Sequence, residues 1–298
     1  MTDEPPPALA VPLRERRWPA VLGALLTVAM IVALGRELLG DGLAGLTRAV
    51  PRDPRFYLAF ALLYLVPQGF DFLIFRRLWG VGRAGFAALT RKRIANDVLF
   101  GYAGEAYFYA WARARPELTA APFAAVKDVT ITSAIAGNAV TLAITALALP
   151  ALRPLLSPAT FTAVLTSLAL VCATSLPFLL FRRRVFGLGA SELWRMFGLH
   201  VVRIVAGAVL LALAWHYGLP GIGLPELLLL SAGRLLVSRL PFVPNKDLVF
   251  ASFSLLLIRN NAALVQLIAF TAALTLLVHV ALLAGFAAVA IVTRARRP

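Results

Sequence analysis

The chain is poor in the residue types on which most enzymes and redox proteins depend. Among 298 residues it has one cysteine and three histidines, which excludes an internal disulfide framework and a multi-cysteine metal site. Charged residues make up only 14% of the chain, whereas soluble domains carry about a quarter. The sequence also lacks the HExxH, G-x-S-x-G and phosphate-binding glycine-rich motifs. These absences exclude a typical soluble enzyme and favour a non-enzymatic protein without a cofactor.

Apolar sequence is what the chain has in abundance. Hydrophobic residues account for 60% of it, and its mean hydropathy is +0.84. A helix that crosses a bilayer needs about 20 apolar residues. Six runs are long enough, namely residues 18–35, 56–75, 123–149, 159–181, 196–217 and 262–292. The sequence therefore predicts an all-α, polytopic membrane protein.

The basic residues predict the orientation of these spans. The net charge is +15, and only three of the 29 basic residues are lysine. Such a charge on a soluble protein would suggest nucleic acid, but here the arginines flank apolar runs, so nucleic acid is not the expected partner. If the N-terminus is cytoplasmic, eighteen basic residues face the cytoplasm, as the positive-inside rule requires. We therefore expect a bacterial inner-membrane protein with both termini in the cytoplasm.

The domain organisation is simple. Residues 1–17 are predicted to be a disordered, basic cytoplasmic N-terminus, residues 18–293 a single transmembrane domain, and residues 294–298 a basic cytoplasmic tail. Two further apolar stretches, 94–112 and 224–258, are interrupted by glycine, proline and charged residues. Charges of this kind are costly in hydrocarbon.

The predicted topology requires the first broken stretch to begin and end inside and the second to begin and end outside. Both are therefore interpreted as re-entrant helical hairpins. The order span, span, hairpin, span then occurs twice, in halves 18–149 and 159–292 of inverted orientation, which is typical of transporters. The alternative is that the second stretch supplies ordinary short spans, which gives about eight transmembrane helices.

Glu105 is the main candidate residue of the first hairpin. Gly101 and Gly104 free the backbone, so a helix can begin there with Glu105 in its first turn, stabilised by the helix dipole. We interpret Glu105 as part of a pocket, in contact with a polar head group or a partner arginine. The alternative is an interfacial helix with a solvated acid.

The second hairpin has its own candidates. Two prolines cannot both lie inside a regular helix, so the chain must turn and leave carbonyls that need partners. The charged residues around this turn are Arg234, Arg239, Lys246 and Asp247. They would line a binding region or, alternatively, an exposed outer loop.

Arg203 interrupts the fifth span, with His200 one helical turn before it. An arginine in hydrocarbon must pair or extend its side chain to the surface. Asp71, Lys127 and Asp128 lie near the same membrane boundary, so they either form a polar cluster with Arg203 or anchor the helix ends.

The residues around Glu105 resemble a known family. FGYAGEAYFYAWARAR (Phe100–Arg115) is similar to the PGxxGE-type motif of the flippase-like transmembrane region of lysylphosphatidylglycerol synthases, with phenylalanine where proline is usual. RLPFVPNKDL (Arg239–Leu248) looks like the later motif of that family, which ends in an acidic residue, and RRLWGVGRAG (Arg76–Gly85) also suits it.

The resemblance implies that the chain moves a phospholipid or a polyprenyl-linked lipid between leaflets. Glu105 and Asp247 would be the paired carboxylates of the two hairpins, accompanied by Arg234 or Arg239. The expected partners are membrane lipids with anionic or lipid-linked head groups, and a second copy of the chain or a lipid-biosynthesis protein. The alternatives are an intramembrane lipid-modifying enzyme and an accessory subunit of lipid, hopanoid or glycolipid assembly.

Overall fold

The computed structural model describes residues 21, 22, 25, 28, 29, 32, 50–99, 102–115, 117–118, 121–153, 158–239 and 262–295. Every regular element in these ranges is helical. The helices are α1 (Pro54–Trp79), α2 (Arg83–Val98), α3 (Ala103–Arg113), α4 (Pro122–Leu152), α5 (Pro158–Leu180), α6 (Arg182–Val185), α7 (Ala190–Gly218), α8 (Leu224–Arg239) and α9 (Ala262–Ala295).

Four of these helices are long and apolar enough to cross a membrane. They are α1, residues Pro122–Leu147 of α4, α7, and residues Ala262–Ala290 of α9. Each coincides with one of the predicted spans, so the prediction of an all-helical chain with several membrane-crossing segments is confirmed to this extent. The predicted span 159–181 falls on α5, whose described apolar part is the shorter segment Leu168–Phe178. Of the span 18–35, only six single residues are described, and all six are helical.

Helices α1 and α7 form the centre of the bundle and run antiparallel. The first half of α1 packs against the second half of α7, where Phe56 and Phe60 belong to the same buried cluster as Trp215. The second half of α1 packs against the first half of α7, with Phe75 in one cluster with Met196. The described part of the bundle therefore has two large apolar cores, one at each end of α1, and a small third cluster between α2 and α3.

Helices α2 and α3 form a tight antiparallel pair, which we call the α2–α3 hairpin. The amide of Gly104 donates a hydrogen bond to Asn96 Oδ1 at 2.7 Å, and a side chain at position 104 would collide with the backbone carbonyl of Lys92. Tyr102, just before α3, has φ of 72°. The glycine at 104 is therefore required by the close approach of the two helices.

The hairpin is longer than the broken stretch 94–112 that indicated it, because α2 already begins at Arg83. Its open end lies beside the C-terminal end of α1, where the Phe108 and Trp79 rings stack 5.9 Å apart. Near its closed end, Arg93 donates a hydrogen bond to the carbonyl of Tyr64. Tyr64 lies fifteen residues before Trp79 in α1, so the hairpin extends about 22 Å along this helix.

Candidate functional site

A polar cavity separates the two apolar cores. Its volume is about 270 Å³, and its walls come from α1, α2, α3, α4 and α7. The residues that line it are Pro67, Gln68, Asp71, Leu89, Lys92, Arg93, Asn96, Asp97, Glu105, Val129, Ser133, His200 and Arg203. Most of these side chains are polar or charged, although they lie in the interior of an otherwise apolar bundle.

Asp71 is the centre of the charged network in this cavity. Lys92 Nζ donates a hydrogen bond to its Oδ2 at 2.6 Å, and Arg203 Nη1 donates to its Oδ1 at 2.9 Å. Lys92 also lies 3.3 Å from Glu105 Oε1, and Arg203 Nη2 donates to Ser133 Oγ at 2.7 Å. These five side chains therefore connect α3, α2, α1, α7 and α4 in one continuous series of polar contacts, which we call the Asp71 network.

A second set of contacts fixes the closed end of the hairpin. Arg93 donates a hydrogen bond to Gln68 Oε1 at 3.0 Å and lies over the Tyr64 ring at 4.1 Å. It also pairs with Asp97 at 3.3 Å, and Asp97 lies 3.5 Å from His279 Nε2 of α9. This end of the hairpin is thus tied to both α1 and α9.

The contact of Arg93 with the backbone of α1 lies next to a proline. A proline inside a helix has no N–H group and leaves the carbonyl four residues before it without its regular partner. Pro67 lies within α1, and the guanidinium of Arg93 binds the carbonyl of Tyr64, three residues before Pro67. A residue of the cavity wall therefore binds the turn of α1 that precedes the proline.

Several polar atoms around the cavity have no hydrogen-bond partner among the described residues. They include Glu105 Oε2, Gln68 Nε2 and the hydroxyl of Tyr64, all of which are buried. Buried polar atoms are nearly always hydrogen-bonded in proteins, since an unpaired one costs about 1–3 kcal/mol. Water or a ligand in the cavity is the natural partner for them.

The depth of the Asp71 network follows from helix geometry. Asp71 lies eight residues before the end of α1, and Arg203 lies thirteen residues after the start of α7. At 1.5 Å per residue these positions are about 12 and 20 Å from the helix ends. The network therefore lies well inside the helix bundle rather than at the ends of these two helices.

The structure brings together three of the residues that the sequence singled out, Glu105, Asp71 and Arg203, and Lys92 joins Glu105 to Asp71. Arg203 is paired and only 17% of its side chain is exposed, so it does not extend to the surface as the alternative interpretation required. Arg234 lies in α8 and is not among the residues that line this cavity.

The remaining predicted site residues belong to the second hairpin. Arg239 is the last residue of α8, and its side chain is outside the described part of the structure. Lys246 and Asp247 lie outside the described residues as well. Their predicted role therefore stays a prediction.

Lys127 and Asp128 have a different role from the polar cluster that the sequence offered as one interpretation. Asp128 Oδ2 accepts hydrogen bonds from the amides of Gly187 at 2.8 Å and Leu188 at 2.9 Å. Lys127 donates to the carbonyl of Val185. The two residues hold the loop between α6 and α7 against α4, which corresponds to the anchoring alternative.

Sequence reasoning missed Lys92, Gln68 and Ser133. Lys92 lies in the run Arg91–Arg93, which is typical of a cytoplasmic flank. Gln68 and Ser133 are uncharged and lie within predicted spans. One signal could have indicated Lys92. It lies four residues before Asn96, so the two side chains share one face of α2, and both line the cavity.

The arrangement contains no evident metal centre. Among the described residues, no group of three or more histidine, cysteine, aspartate or glutamate side chains is placed to hold a metal ion.

Comparison of the chain with protein-family models, with curated proteins and with solved structures finds no match. The chemistry of the cavity must therefore be inferred from its own residues.

Proposed function

We propose that this chain is a polytopic inner-membrane protein that binds the head group of a lipid or lipid-linked substrate in the polar cavity and moves it between leaflets. The observation that carries the proposal is the Asp71 network, a series of buried charges that joins five helices around a cavity of about 270 Å³. Charged residues inside membrane segments are costly and mark substrate pathways.

The size of the cavity supports a head group as the occupant. Pockets for drug-sized ligands usually measure about 300–1,000 Å³, so a cavity of about 270 Å³ is too small for a whole lipid. Its walls are polar, whereas large apolar side chains such as Leu58, Leu62 and Leu65 are exposed on the outside of α1. A lipid can leave its acyl chains along such surfaces while only the head group enters.

The inverted-repeat plan is part of the proposal, and the antiparallel arrangement of α1 and α7 supports it. Each of these long helices is followed, after a short connection, by a helix of 16 residues that packs against it: α2 after α1 and α8 after α7. We infer that α8 is the first arm of a second hairpin. The second arm would lie in residues 240–261, which are outside the described part of the structure. The choice between six spans with two hairpins and about eight spans depends on the same residues.

The positions of the arginines support the proposed orientation. The C-terminal end of α1 carries Arg76 and Arg77, the open end of the hairpin carries Arg83 and Arg113, and the three arginines of α6 lie beside α4 through the contact at Val185. Since arginine-rich ends face the cytoplasm, we infer that the hairpin enters from the cytoplasmic side.

The test is leaflet transfer by the purified full chain in vesicles. The vesicles carry a fluorescent phospholipid, and a reductant added outside removes the signal of the outer leaflet only. We expect the protein to increase the fraction of lipid that becomes accessible, with the recovered lipid chemically unchanged. A modified lipid would indicate an enzyme instead, and no transfer by the chain alone would contradict the proposal in favour of an accessory subunit.

A further inference from the structure

The charged residues that line the cavity are balanced in sign. Three are acidic and three are basic, namely Asp71, Asp97, Glu105, Lys92, Arg93 and Arg203. The remaining titratable residue of the wall is His200, and a histidine is largely neutral at pH 7. The cavity wall is therefore close to electrically neutral, although the chain as a whole carries +15.

A balanced wall limits the net charge of the ligand. Placing an uncompensated charge in a low-dielectric interior is strongly unfavourable, and this wall has no excess of either sign to compensate one. A ligand with both charges and no net charge avoids this cost. An anionic head group, as expected from the sequence, would bring a net charge that this wall does not compensate.

The buried atoms without a hydrogen-bond partner include one acceptor and one donor, so the ligand should both donate and accept hydrogen bonds. Glu105 Oε2 is a buried acceptor without a partner among the described residues, and Gln68 Nε2 is a buried donor in the same condition. Gln68 is only 1% exposed, and both residues line the cavity. A carboxylate oxygen requires an N–H or O–H donor, whereas an amide nitrogen next to guanidinium groups suits a phosphate oxygen.

We propose that the cavity selects a head group that carries a primary ammonium and a phosphate, with the ammonium on Glu105 and the phosphate on Gln68, Arg93 and Arg203. This inference rests on the proposed function and names its substrate class. The chemistry occurs in a lipid such as phosphatidylethanolamine and in free phosphoethanolamine. The exposed apolar side chains of α1 favour the lipid.

The experiment measures binding alone, so it does not depend on transport. The purified full chain in detergent is titrated with short-chain phosphatidylethanolamine, phosphatidylcholine and phosphatidylglycerol, with a short-chain cationic lipid, and with free phosphoethanolamine. We expect phosphatidylethanolamine to bind about tenfold more tightly than phosphatidylglycerol, because the latter adds a net charge. Phosphatidylcholine should also bind more weakly, because its quaternary ammonium cannot donate a hydrogen bond to Glu105.

Two variants of opposite charge sharpen the test. Glu105→Gln gives the wall a net positive charge and should shift the preference toward phosphatidylglycerol. Arg203→Gln gives a net negative charge and should shift it toward the cationic lipid. The double variant restores neutrality but lacks both contacts, so it should prefer neither the anionic nor the cationic lipid over the other. Glu192→Gln, which removes an exposed acid paired with Arg77, is the matched control and should bind like the wild type.

The outcomes separate this inference from the proposed function. Tight lipid binding without preference for the zwitterion, or variants that do not change the preference in opposite directions, would overturn the inference and leave lipid transfer standing. Equal affinity for free phosphoethanolamine would overturn the assignment to a lipid. Absence of binding by every lipid in the wild type would overturn both proposals.

Discussion

Substitution of Asp71 by asparagine is the sharpest perturbation of the buried network. Asparagine keeps the shape of the side chain and removes only the charge. The carboxylate of Asp71 binds Lys92 at 2.6 Å and Arg203 at 2.9 Å, and the side chains of both cations are mostly buried, with 10% and 17% exposed. Asp71→Asn therefore leaves two buried cations with one acidic neighbour fewer.

The expected loss is large. Removing one partner of a buried ion pair typically costs about 3–5 kcal/mol, because the other charge stays desolvated. The control is Glu192→Gln, since the Arg77–Glu192 pair is partly exposed at 54% and 28% of the two side chains and such pairs contribute about 0–1 kcal/mol. Both variants are compared with the wild type by equilibrium unfolding in detergent, which gives the free energy of unfolding.

A second substitution tests the electrostatic cause. Lys92→Met in the Asp71→Asn background removes one of the two cations that Asp71 compensates, so part of the lost free energy of unfolding should return. The reasoning is refuted if Asp71→Asn costs no more than Glu192→Gln. It is also refuted if the two substitutions at Asp71 and Lys92 are simply additive.

Three further predictions address the hairpin, the α6–α7 loop and the topology. Gly104→Ala should lower the free energy of unfolding by about 1–3 kcal/mol, because the new side chain overlaps a carbonyl of α2. Gly198 has open space around it, so Gly198→Ala should be neutral or stabilising. Equal effects of the two substitutions in melting experiments would contradict the close packing of α2 and α3. Asp128→Ala should lower the free energy of unfolding by about 2–4 kcal/mol, because it leaves two loop amides without their acceptor. Asp128→Asn keeps an acceptor oxygen and should lower it less. A larger loss for Asp128→Asn than for Asp128→Ala would contradict this role. In a chain with Cys172 replaced by serine, Asn245→Cys should react with an impermeant maleimide from the periplasmic side, and reaction from the cytoplasmic side only would exclude the inverted plan.

The sequence was sufficient to locate the four described helices that are long and apolar enough to cross a membrane. Each of α1, α4, α7 and α9 contains one long apolar run, and a run of that length has few other stable forms. The break in the first hairpin was also visible, since glycine precedes Glu105. The full length of α2 was not, because its sequence RAGFAALTRKRIANDV is polar and its burial comes from packing against α1, α3 and α9.

The site could be predicted only in part, for a related reason. Glu105 and Arg203 were found because a charge next to or inside an apolar run is conspicuous. Lys92 was not, because its neighbours Arg91 and Arg93 are also basic and such a run is typical of a membrane flank. Three consecutive helical residues point in different directions: Arg91 contacts Phe286, Arg93 contacts Tyr64, and only Lys92 reaches Asp71. Lys92 and Arg93 line the cavity and Arg91 does not, and no local pattern distinguishes them.

The roles of Asp128 and Arg203 could not be told apart from the sequence either. Both are charged residues within predicted spans, and both were candidates for one polar cluster. Their partners lie 59 and 132 residues away in the sequence, so the tertiary fold alone decides that one supports a loop and the other lines the cavity.

The most direct test of the central claim, that the charged cavity carries the substrate, is leaflet transfer by the Glu105→Gln variant. Wild type, Glu105→Gln and Glu192→Gln are reconstituted at equal density, and the transfer of fluorescent phosphatidylethanolamine is followed by reduction of the outer leaflet. We predict that Glu192→Gln transfers lipid like the wild type, whereas Glu105→Gln inserts into the vesicles normally and transfers at the rate of protein-free vesicles. Transfer by Glu105→Gln at the wild-type rate would contradict the claim.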